Sequence, residues 1–324
     1  MLIPILIIAA TALIVFVLFG AYKAAKAAFG RFDNPLPDEA MPHRFKGFEN
    51  EYRQARHFLK AHRHQMKTLT LTSEDGLKLQ ATYLRHPEAQ RVYVFAHGYH
   101  STPVWDVMMA LRFYYESGCS VLMFDQRAHN GSEGRFISYG VLERKDMAAW
   151  VRLAADMPEN RDLPIYLGGV SMGAATAIQT LEEDLPDNVC GVIADCSFSS
   201  MPRQLVDCFR RLYHIPVFPY YGLSLMWLKF LGHVSIKTAC PEDVLARNDR
   251  YPVLFIHGTH DRLVMPSHAV RNYMACQAPT MICFIDGADH CQAYEKDPEK
   301  YESYVTSFFA FFEEEEDDHA NTFR

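Results

Sequence analysis

Three residues that follow strand-like segments carry the side chains needed for nucleophilic catalysis. Ser171 lies in the Gly-Val-Ser-Met-Gly sequence of residues 169–173, Asp261 follows the apolar run VLFIHG, and His290 follows ICFIDG. A serine hydroxyl is a weak nucleophile unless a base accepts its proton, and that base needs an orienting carboxylate. The chain offers all three groups in the order serine, aspartate, histidine. We therefore predict that Ser171, Asp261 and His290 act together as nucleophile, orienting acid and base.

The residues around Ser171 predict a sharp turn from a strand into a helix. The motif follows the apolar run PIYL and precedes the helical run ATAIQTLEEDL. Such a turn holds the serine in a strained conformation with its Oγ exposed above the sheet. Glycines flank the serine because side chains at those positions would collide with the neighbouring backbone. The N-terminus of the following helix also supplies positive potential and free N–H groups.

Backbone N–H donors for a developing oxyanion are predicted at two places. The sequence His97-Gly98-Tyr99 follows the strand-like run VYVFA, and Met172 follows the candidate nucleophile. The N–H groups of Tyr99 and Met172 would form an oxyanion hole if the two loops meet at one edge of a sheet. We interpret His97 as a structural residue that holds its loop.

Other polar residues near these positions compete for roles. Asp195 ends the run VIAD and is an alternative to Asp261 as the orienting acid. We prefer Asp261, because Asp195 leads directly into a long insertion. Asp289, next to the candidate base, is interpreted as structural, and Cys291 as a residue without a catalytic role.

Short apolar runs alternate with helical runs from Met66 onwards, and this pattern predicts the fold. Apolar strands separated by helices are typical of an α/β protein with a mostly parallel central sheet and helices on both faces. The predicted strands are 67–73, 77–85, 92–96, 120–124, 164–167, 190–194, 253–256 and 281–285, with helices at 142–155 and 172–185 among the connections. Ligands bind such a sheet beyond the carboxyl ends of its strands, where the candidate residues stand.

One interval, residues 201–248, contains no convincing strand. It includes the apolar and aromatic stretch IPVFPYYGLSLMWLKFLG, in which two prolines and a lysine argue against a second membrane span. We predict a helical cap inserted into the α/β domain, which itself covers residues 66–312.

The N-terminal residues 1–20 predict a membrane anchor. Residues 2–20 carry no charge and would span about 28 Å as a helix, close to the thickness of the hydrocarbon core. A cleaved signal peptide is the alternative, but no basic residue precedes the run. Lys23, Lys26 and Arg31 follow it, which predicts a single-pass anchor with the following domain in the cytoplasm. Residues 21–65 form a basic juxtamembrane connector.

Net charge and cysteine usage narrow the function further. The chain of 324 residues has 32 basic and 39 acidic side chains, a formal charge of −7. The run Glu313–Asp318 contributes six of the acidic residues, so the remainder is nearly neutral, and residues 313–324 form an acidic tail. A nearly neutral domain argues against nucleic acid as a partner. The eight cysteines form no C-x-x-C pair, so we predict neither a metal site nor any other cofactor.

The motifs HGYHS, DQRAHNGSEG, GVSMG, HGTHDRLV and GADH together resemble the α/β-hydrolase superfamily. The resemblance covers residues 67 to about 312, and it is closer to bacterial membrane-anchored serine hydrolases of the serine aminopeptidase-like and carboxylesterase-like groups. One departure is the sequence Arg-Ala-His-Asn at 127–130, where relatives often have Arg-Gly-His-Gly. The resemblance implies an α/β-hydrolase fold and hydrolysis through an acyl-enzyme.

These observations lead to an expected function and two alternatives. We expect a serine hydrolase that cleaves a carboxylic ester, with a small-molecule or lipid-like acyl substrate favoured by the apolar cap and the anchor. The first alternative is an aminopeptidase or amidase of the same fold. The second is a binding protein that has the hydrolase fold but no catalytic activity.

Overall fold

The central sheet has eight strands, and each of them was predicted from the sequence. The computed structural model describes residues 2–34, 41–212, 214, 216–232 and 234–322, with side chains left undescribed at 2, 231–232 and 312–322. The strands are β1 (Met66–Thr72), β2 (Lys78–Leu84), β3 (Arg91–Ala96), β4 (Cys119–Phe124), β5 (Ile165–Val170), β6 (Val189–Asp195), β7 (Val253–Gly258) and β8 (Thr280–Ile285). Their ends differ from the predicted ends by at most three residues.

The strand order is β1-β2-β4-β3-β5-β6-β7-β8, and the sheet is mostly parallel as predicted. β1 and β2 form an antiparallel hairpin, and β2 also pairs antiparallel with β4. The remaining neighbours, from β4 through β3 to β8, all pair in parallel. The carboxyl ends of β3, β5, β6, β7 and β8 therefore lie along one edge of the sheet.

Helices cover both faces of this sheet. The helices are α1 (Leu2–Phe29), α2 (Glu49–His62), α3 (Pro103–Glu116), α4 (Glu143–Asp156), α5 (Met172–Thr180), α6 (Met201–Asp207), α7 (Val217–Gly232), α8 (Pro241–Leu245), α9 (Ser267–Ala275), α10 (Ala293–Lys296) and α11 (Pro298–Thr322). One apolar core forms between the sheet and α3 and α11, and a second between the sheet and α4, α5 and α8. Because both faces are covered, β3, β4, β5 and β7 are buried along their whole length.

Helix α1 is longer than the predicted anchor segment. It continues beyond Gly20 to Phe29, and Ala21, Ala25 and Phe29 on one side of it are buried against the domain. The spacing of four residues places these side chains on a single helix face. Lys23 and Lys26 on the other side remain exposed. The first part of the predicted connector is thus a helix packed on the domain.

Helix α5 is shorter than predicted. The sequence pattern favoured a helix to Leu185, but α5 ends at Thr180. Three acidic residues, Glu182 to Asp184, follow, and negative charge is unfavourable at the negative end of the helix dipole. Pro186 then prevents further helix.

The described residues of the 201–248 interval form helices and no strand. They comprise α6, a π-helical segment (Cys208–Leu212), α7, a 3₁₀ turn (Ile236–Thr238) and α8. At the other end of the chain, the backbone of the acidic run Glu313–Asp318 belongs to α11. The side chains of that run lie outside the described residues, so the assignment of residues 313–324 as an acidic tail remains a prediction.

The loop at 127–130, with the sequence Arg-Ala-His-Asn, has a backbone conformation that glycine adopts more easily than other residues do. Ala128 has φ 60° and Asn130 has φ 42°, in the left-handed region that glycine adopts without strain. For residues with a Cβ this conformation costs about 1–2 kcal/mol. The Asn130 side chain donates to the Ser101 carbonyl at 3.0 Å and accepts from the Asn34 amide at 3.0 Å. These contacts join the loop to its neighbours and help to hold the strained turn.

Candidate active site

Ser171 stands on the tight turn between β5 and α5. Its φ of 54° and ψ of −116° are strained for a residue with a side chain. The Ser171 N–H donates to the Asp195 carbonyl oxygen at 2.8 Å, which ties the turn to β6. A Cβ at Gly169 would lie 2.4 Å from the Ala96 carbonyl oxygen, and one at Gly173 would lie 2.0 Å from it. The two glycines are therefore required by the close approach of β3.

The structure brings Ser171, Asp261 and His290 into one chain of hydrogen bonds. His290 Nε2 lies 2.9 Å from Ser171 Oγ, and His290 Nδ1 lies 2.7 Å from Asp261 Oδ2. A carboxylate can only accept, so Nδ1 carries a proton and donates it to Asp261. In neutral His290, Nε2 is then free to accept the proton of the serine hydroxyl. The sequence-based grouping of these three residues matches this arrangement.

Asp261 is held as an anion by the loop that follows β7. The backbone N–H groups of Leu263 and Val264 both donate to its Oδ1 at 2.9 Å. His257 Nε2 lies 3.2 Å from Asp261 Oδ2, on the side chain's other oxygen. Burial alone would raise the pKa of Asp261, but hydrogen bonds from His257 and His290 outweigh it and hold that pKa well below its usual range. The carboxylate is therefore charged at every pH of interest.

Asp195, the alternative acid, has the opposite electrostatic character. It lines an internal cavity of about 20 Å³, and its Oδ1 has no hydrogen-bond partner among the described residues. Burial raises the pKa of Asp195 well above its usual range, and the nearby Cys291 and Glu295 add to the effect. A neutral Asp195 offers His290 no negative charge. Asp261 is thus the carboxylate that contacts His290 and places a negative charge beside it.

Cys291 contacts Cys196 beside the candidate active site and influences His290, which the sequence did not indicate. Its Sγ lies 3.5 Å from Cys196 Sγ, and a hydrogen bond from Cys196 is the main cause that lowers the pKa of Cys291 to about 6. Burial would lower the pKa of His290, but the Cys291 thiolate and the hydrogen bond to Asp261 outweigh burial and raise that pKa well above its usual value. No sequence motif signals this pairing, because the two cysteines are 95 residues apart.

Among the described residues, Cys196, Cys291 and His290 form the one cluster whose side chains are arranged so that they could hold a metal ion. One ligand atom from each of the three residues lies within 4.8 Å of the others, a spacing that fits thiolate and imidazole ligands of zinc. Both nitrogens of His290 are already engaged, one with Asp261 and one with Ser171. We therefore assign no metal to the cluster.

The buried carboxylate of Asp106 holds the loop that follows β3. Asp106, near the start of α3, has a side chain only 1% exposed. Its Oδ2 accepts from the Gly98 N–H at 2.6 Å, and its Oδ1 accepts from the Ser101 hydroxyl at 2.6 Å. Arg44, from the connector, pairs with the same carboxylate. Sequence reasoning missed Asp106 and Arg44, although an acidic residue in the first turn of a helix was visible at PVWD.

The two predicted oxyanion donors lie on elements that flank the serine. Met172 is the first residue of α5, and Tyr99 directly follows Gly98, whose own N–H is taken by Asp106. A Cβ at Gly98 would lie 3.5 Å from Ser171 Cβ, so the loop passes close to the serine. His97 is fully buried, and its Nε2 accepts from the Gln126 N–H at 3.0 Å. This hydrogen bond agrees with a structural role for His97.

Comparison with known proteins places this arrangement in a family. A family model described as "Alpha/beta hydrolase family" matches residues 93–322. The protein YqkD of Bacillus subtilis is 27% identical over 238 residues, which is 74% of this chain and 77% of YqkD. The membrane protein YNL320W of Saccharomyces cerevisiae is 23% identical over 210 residues, 64% of this chain and 67% of its own.

Solved structures agree on the fold. An esterase of Pyrococcus furiosus, Pf2001, superposes with a TM-score of 0.63 over 87% of this chain and 98% of its own, at 20% sequence identity. At that identity the likeness concerns the fold alone. With a family match over more than half of its length and the same architecture, the chain belongs to the alpha/beta hydrolase family.

Proposed function

We propose that this protein is a serine hydrolase that cleaves carboxylic esters through an acyl-enzyme. Ser171 Oγ attacks the acyl carbon while His290 Nε2 accepts its proton, and the N–H groups of Tyr99 and Met172 stabilise the oxyanion. The oxyanion collapses, the alcohol leaves with the proton from His290, and an ester to Ser171 remains. Water then attacks the acyl carbon while His290 takes its proton, and the bond to Ser171 Oγ breaks as His290 returns that proton to the serine, which releases the acid. Asp261 orients His290 throughout, and no step uses a metal or cofactor.

The observation that carries this proposal is the hydrogen-bond chain from Asp261 through His290 to Ser171, with separations of 2.7 and 2.9 Å. Each separation is within direct proton-transfer reach. The positive φ of Ser171 supports the same conclusion, since strain is maintained where function requires it. The hydrogen-bond chain provides Ser171 with a base, His290, and provides that base with a charged partner, Asp261.

The surroundings of the site favour an apolar acyl group. Met172 belongs to an apolar cluster with Phe198, Met201, Leu205 and Phe209. The last three come from the 201–248 interval, which we interpret as the cap. These side chains are almost fully buried, so an acyl chain beside the Met172 amide would border an apolar cluster, which offers a charged peptide no partner. We therefore propose a short acyl ester or lipid-like ester as substrate.

Helix α1 supports a location at a membrane. It is the one described helix that is long and apolar enough to cross a bilayer, judged by length and composition. Lys23 and Lys26 are exposed at its domain end and favour a cytoplasmic domain. Arg31, also counted in the sequence argument, instead donates to the Ser132 carbonyl and pairs with Asp33. The orientation therefore depends on the two lysines.

A fluorophosphonate probe tests the nucleophile directly. We expect the full chain in detergent to be labelled at Ser171, and labelling to disappear in Ser171→Ala. Ser267→Ala, at an exposed serine on α9, is the matched control and should be labelled like the wild type. An unlabelled wild type that hydrolyses no ester would support the alternative of a binding protein without catalytic activity.

A substrate panel then separates the hydrolytic alternatives. Acyl esters of graded chain length and aminoacyl amides are compared at equal concentration, with Ser171→Ala as background. We expect esters to react faster than amides of the same acyl group, because an apolar cap gives no site for a charged amino terminus. Faster cleavage of aminoacyl amides would establish the aminopeptidase alternative.

A further inference from the structure

Most of the uncharged stretch of α1 is exposed, and other parts of the protein begin to cover the helix only near the end of that stretch. Every side chain from Ile3 to Phe16 is exposed. Val17, Leu18 and Gly20 are half-buried, although they still belong to the uncharged stretch. Protein therefore contacts α1 at the level of the last residues that are apolar enough for a bilayer.

Helix α7 provides this cover. Tyr220 lies against Gly20, where a Cβ would be 3.7 Å from Tyr220 Cε1. The ring of Trp227 packs edge-on against Tyr22 with 5.5 Å between centroids. If the uncharged stretch of α1 is in a bilayer, α7 must lie at or near the boundary of that bilayer with water.

The outer face of α7 is apolar and exposed. Phe218 is 88% exposed, Met226 is 48% exposed and Phe230 is 71% exposed. Gly222, Met226 and Phe230 are all exposed and spaced by four, so they lie along one side of the helix. Phe218, whose backbone is not helical, stands at a kink at the start of the element. The neighbouring Lys229 is exposed as well. Large apolar side chains next to a lysine are typical of helices that lie in the plane of a membrane interface.

The candidate active site is close to the same boundary. The Tyr99 hydroxyl donates to the Ala27 carbonyl oxygen of α1 at 2.9 Å, so the proposed oxyanion loop is attached to the anchor helix. Ala27 lies eight residues from Phe19, which corresponds to about 12 Å along a helix. The acyl chain of a membrane lipid is longer than this distance, so it can reach the level of the Tyr99 loop from the bilayer.

We infer that the outer face of α7 is a second membrane contact, which rests in the interface of the bilayer spanned by α1 and opens the Ser171 site to acyl chains of membrane lipids. The inference rests on the proposed function for its chemistry. Lys23, Lys26 and Lys229 favour a lipid surface over a second copy of the chain as the occupant. Three exposed lysines would repel their counterparts on a second copy, but they attract anionic headgroups.

Tryptophan quenching by lipids tests the contact without using activity. The full chain is reconstituted in vesicles of phosphatidylcholine and phosphatidylglycerol, with bromine on the phosphatidylcholine acyl chains. We expect the tryptophan added by Phe230→Trp to be quenched in excess of the wild-type signal. The matched control Met274→Trp, on α9 at a position 76% exposed, should add a signal that is not quenched. Equal behaviour of the two variants would overturn the inference, as would self-association through α7 without quenching.

Activity gives a second, separate test. Met226→Glu places a charge on the outer face of α7, and Met274→Glu places one on α9. We expect Met226→Glu to hydrolyse a long-chain ester embedded in vesicles about tenfold more slowly than the wild type, because a buried charge is disfavoured in the interface. Its rate on a water-soluble short ester should not change, and Met274→Glu should affect neither substrate. Equal loss on both substrates would contradict the inference, whereas quenching without any hydrolysis would refute the proposed function alone.

Discussion

The Asp106 carboxylate accepts the Gly98 N–H at 2.6 Å, one residue before the amide that we assign to the oxyanion. This bond holds the loop at Gly98, and we expect it to help position the Tyr99 N–H. Replacing Asp106 by Asn removes the charge and leaves Arg44 with a weaker partner. Since loss of an oxyanion donor costs about 10²–10³ in rate, partial misplacement in Asp106→Asn should lower kcat by about 10–100-fold with little change in KM.

The readout for Asp106→Asn is the split between kcat and KM together with the rate of fluorophosphonate labelling. Glu116→Gln is the control, because Glu116 lies on the same helix but is exposed and pairs with Arg112 at the surface. A change in KM with unchanged kcat would show that Asp106 shapes the substrate pocket and does not position the oxyanion loop.

The two aspartates at adjacent strand ends should respond very differently to the same substitution. Asp261→Asn removes the anion that orients His290, so we expect kcat to fall by about 10³–10⁴. Asp195→Asn replaces a neutral acid by a neutral amide of the same shape, so the loss should be less than about threefold. Steady-state kinetics on one soluble ester measures both. A larger effect at Asp195 would reverse the assignment of the orienting acid.

The fold could be predicted because its strands are short, apolar and separated by helices. A buried parallel strand such as β3 or β7 has to be apolar along its whole length, and this makes it visible in the sequence. The candidate triad was visible for a related reason. Ser171, Asp261 and His290 each lie within five residues of the end of a strand, so the strand positions bring them to one edge of the sheet.

Contacts between distant loops could not be predicted in this way. Cys196 and Cys291 meet because of how two loops turn after their strands, and both have a positive φ that no motif indicates. Arg44 reaches Asp106 from a connector whose path across the domain has no periodic signal. The end of α1 at Phe29 depends on which helix face packs against the domain, and hydropathy alone does not report that.

The pH dependence of the reaction should show the influence of Cys291. His290 acts as a base only when it is neutral, so kcat/KM rises with pH through the pKa of His290. Because that pKa is raised above its ordinary value, the acid limb should lie above pH 6.5. Cys291→Ser removes a negative neighbour, lowers the pKa of His290 and should shift the acid limb to lower pH. Cys276→Ser, on a distant loop, is the control and should leave the profile unchanged. An unshifted limb in Cys291→Ser would mean that the thiolate does not influence the base.

Gly173, on the tight turn that carries Ser171, is expected to affect both stability and reactivity. In Gly173→Ala the new Cβ would lie 2.0 Å from the Ala96 carbonyl oxygen, so β3 and α5 would have to move apart. Forcing atoms into a packed core typically costs about 1–3 kcal/mol, and for a chain of this size that lowers the Tm by several degrees. In Gly222→Ala the new Cβ meets nothing within 4 Å, and alanine should stabilise the helix by up to about 1 kcal/mol. Thermal unfolding in detergent compares the stability of the two variants. Fluorophosphonate labelling well below the Tm measures the reactivity of Ser171. We expect labelling to slow only in Gly173→Ala, because displacement of α5 also moves Ser171 away from His290; full labelling of a destabilised Gly173→Ala would show that the glycine serves packing alone.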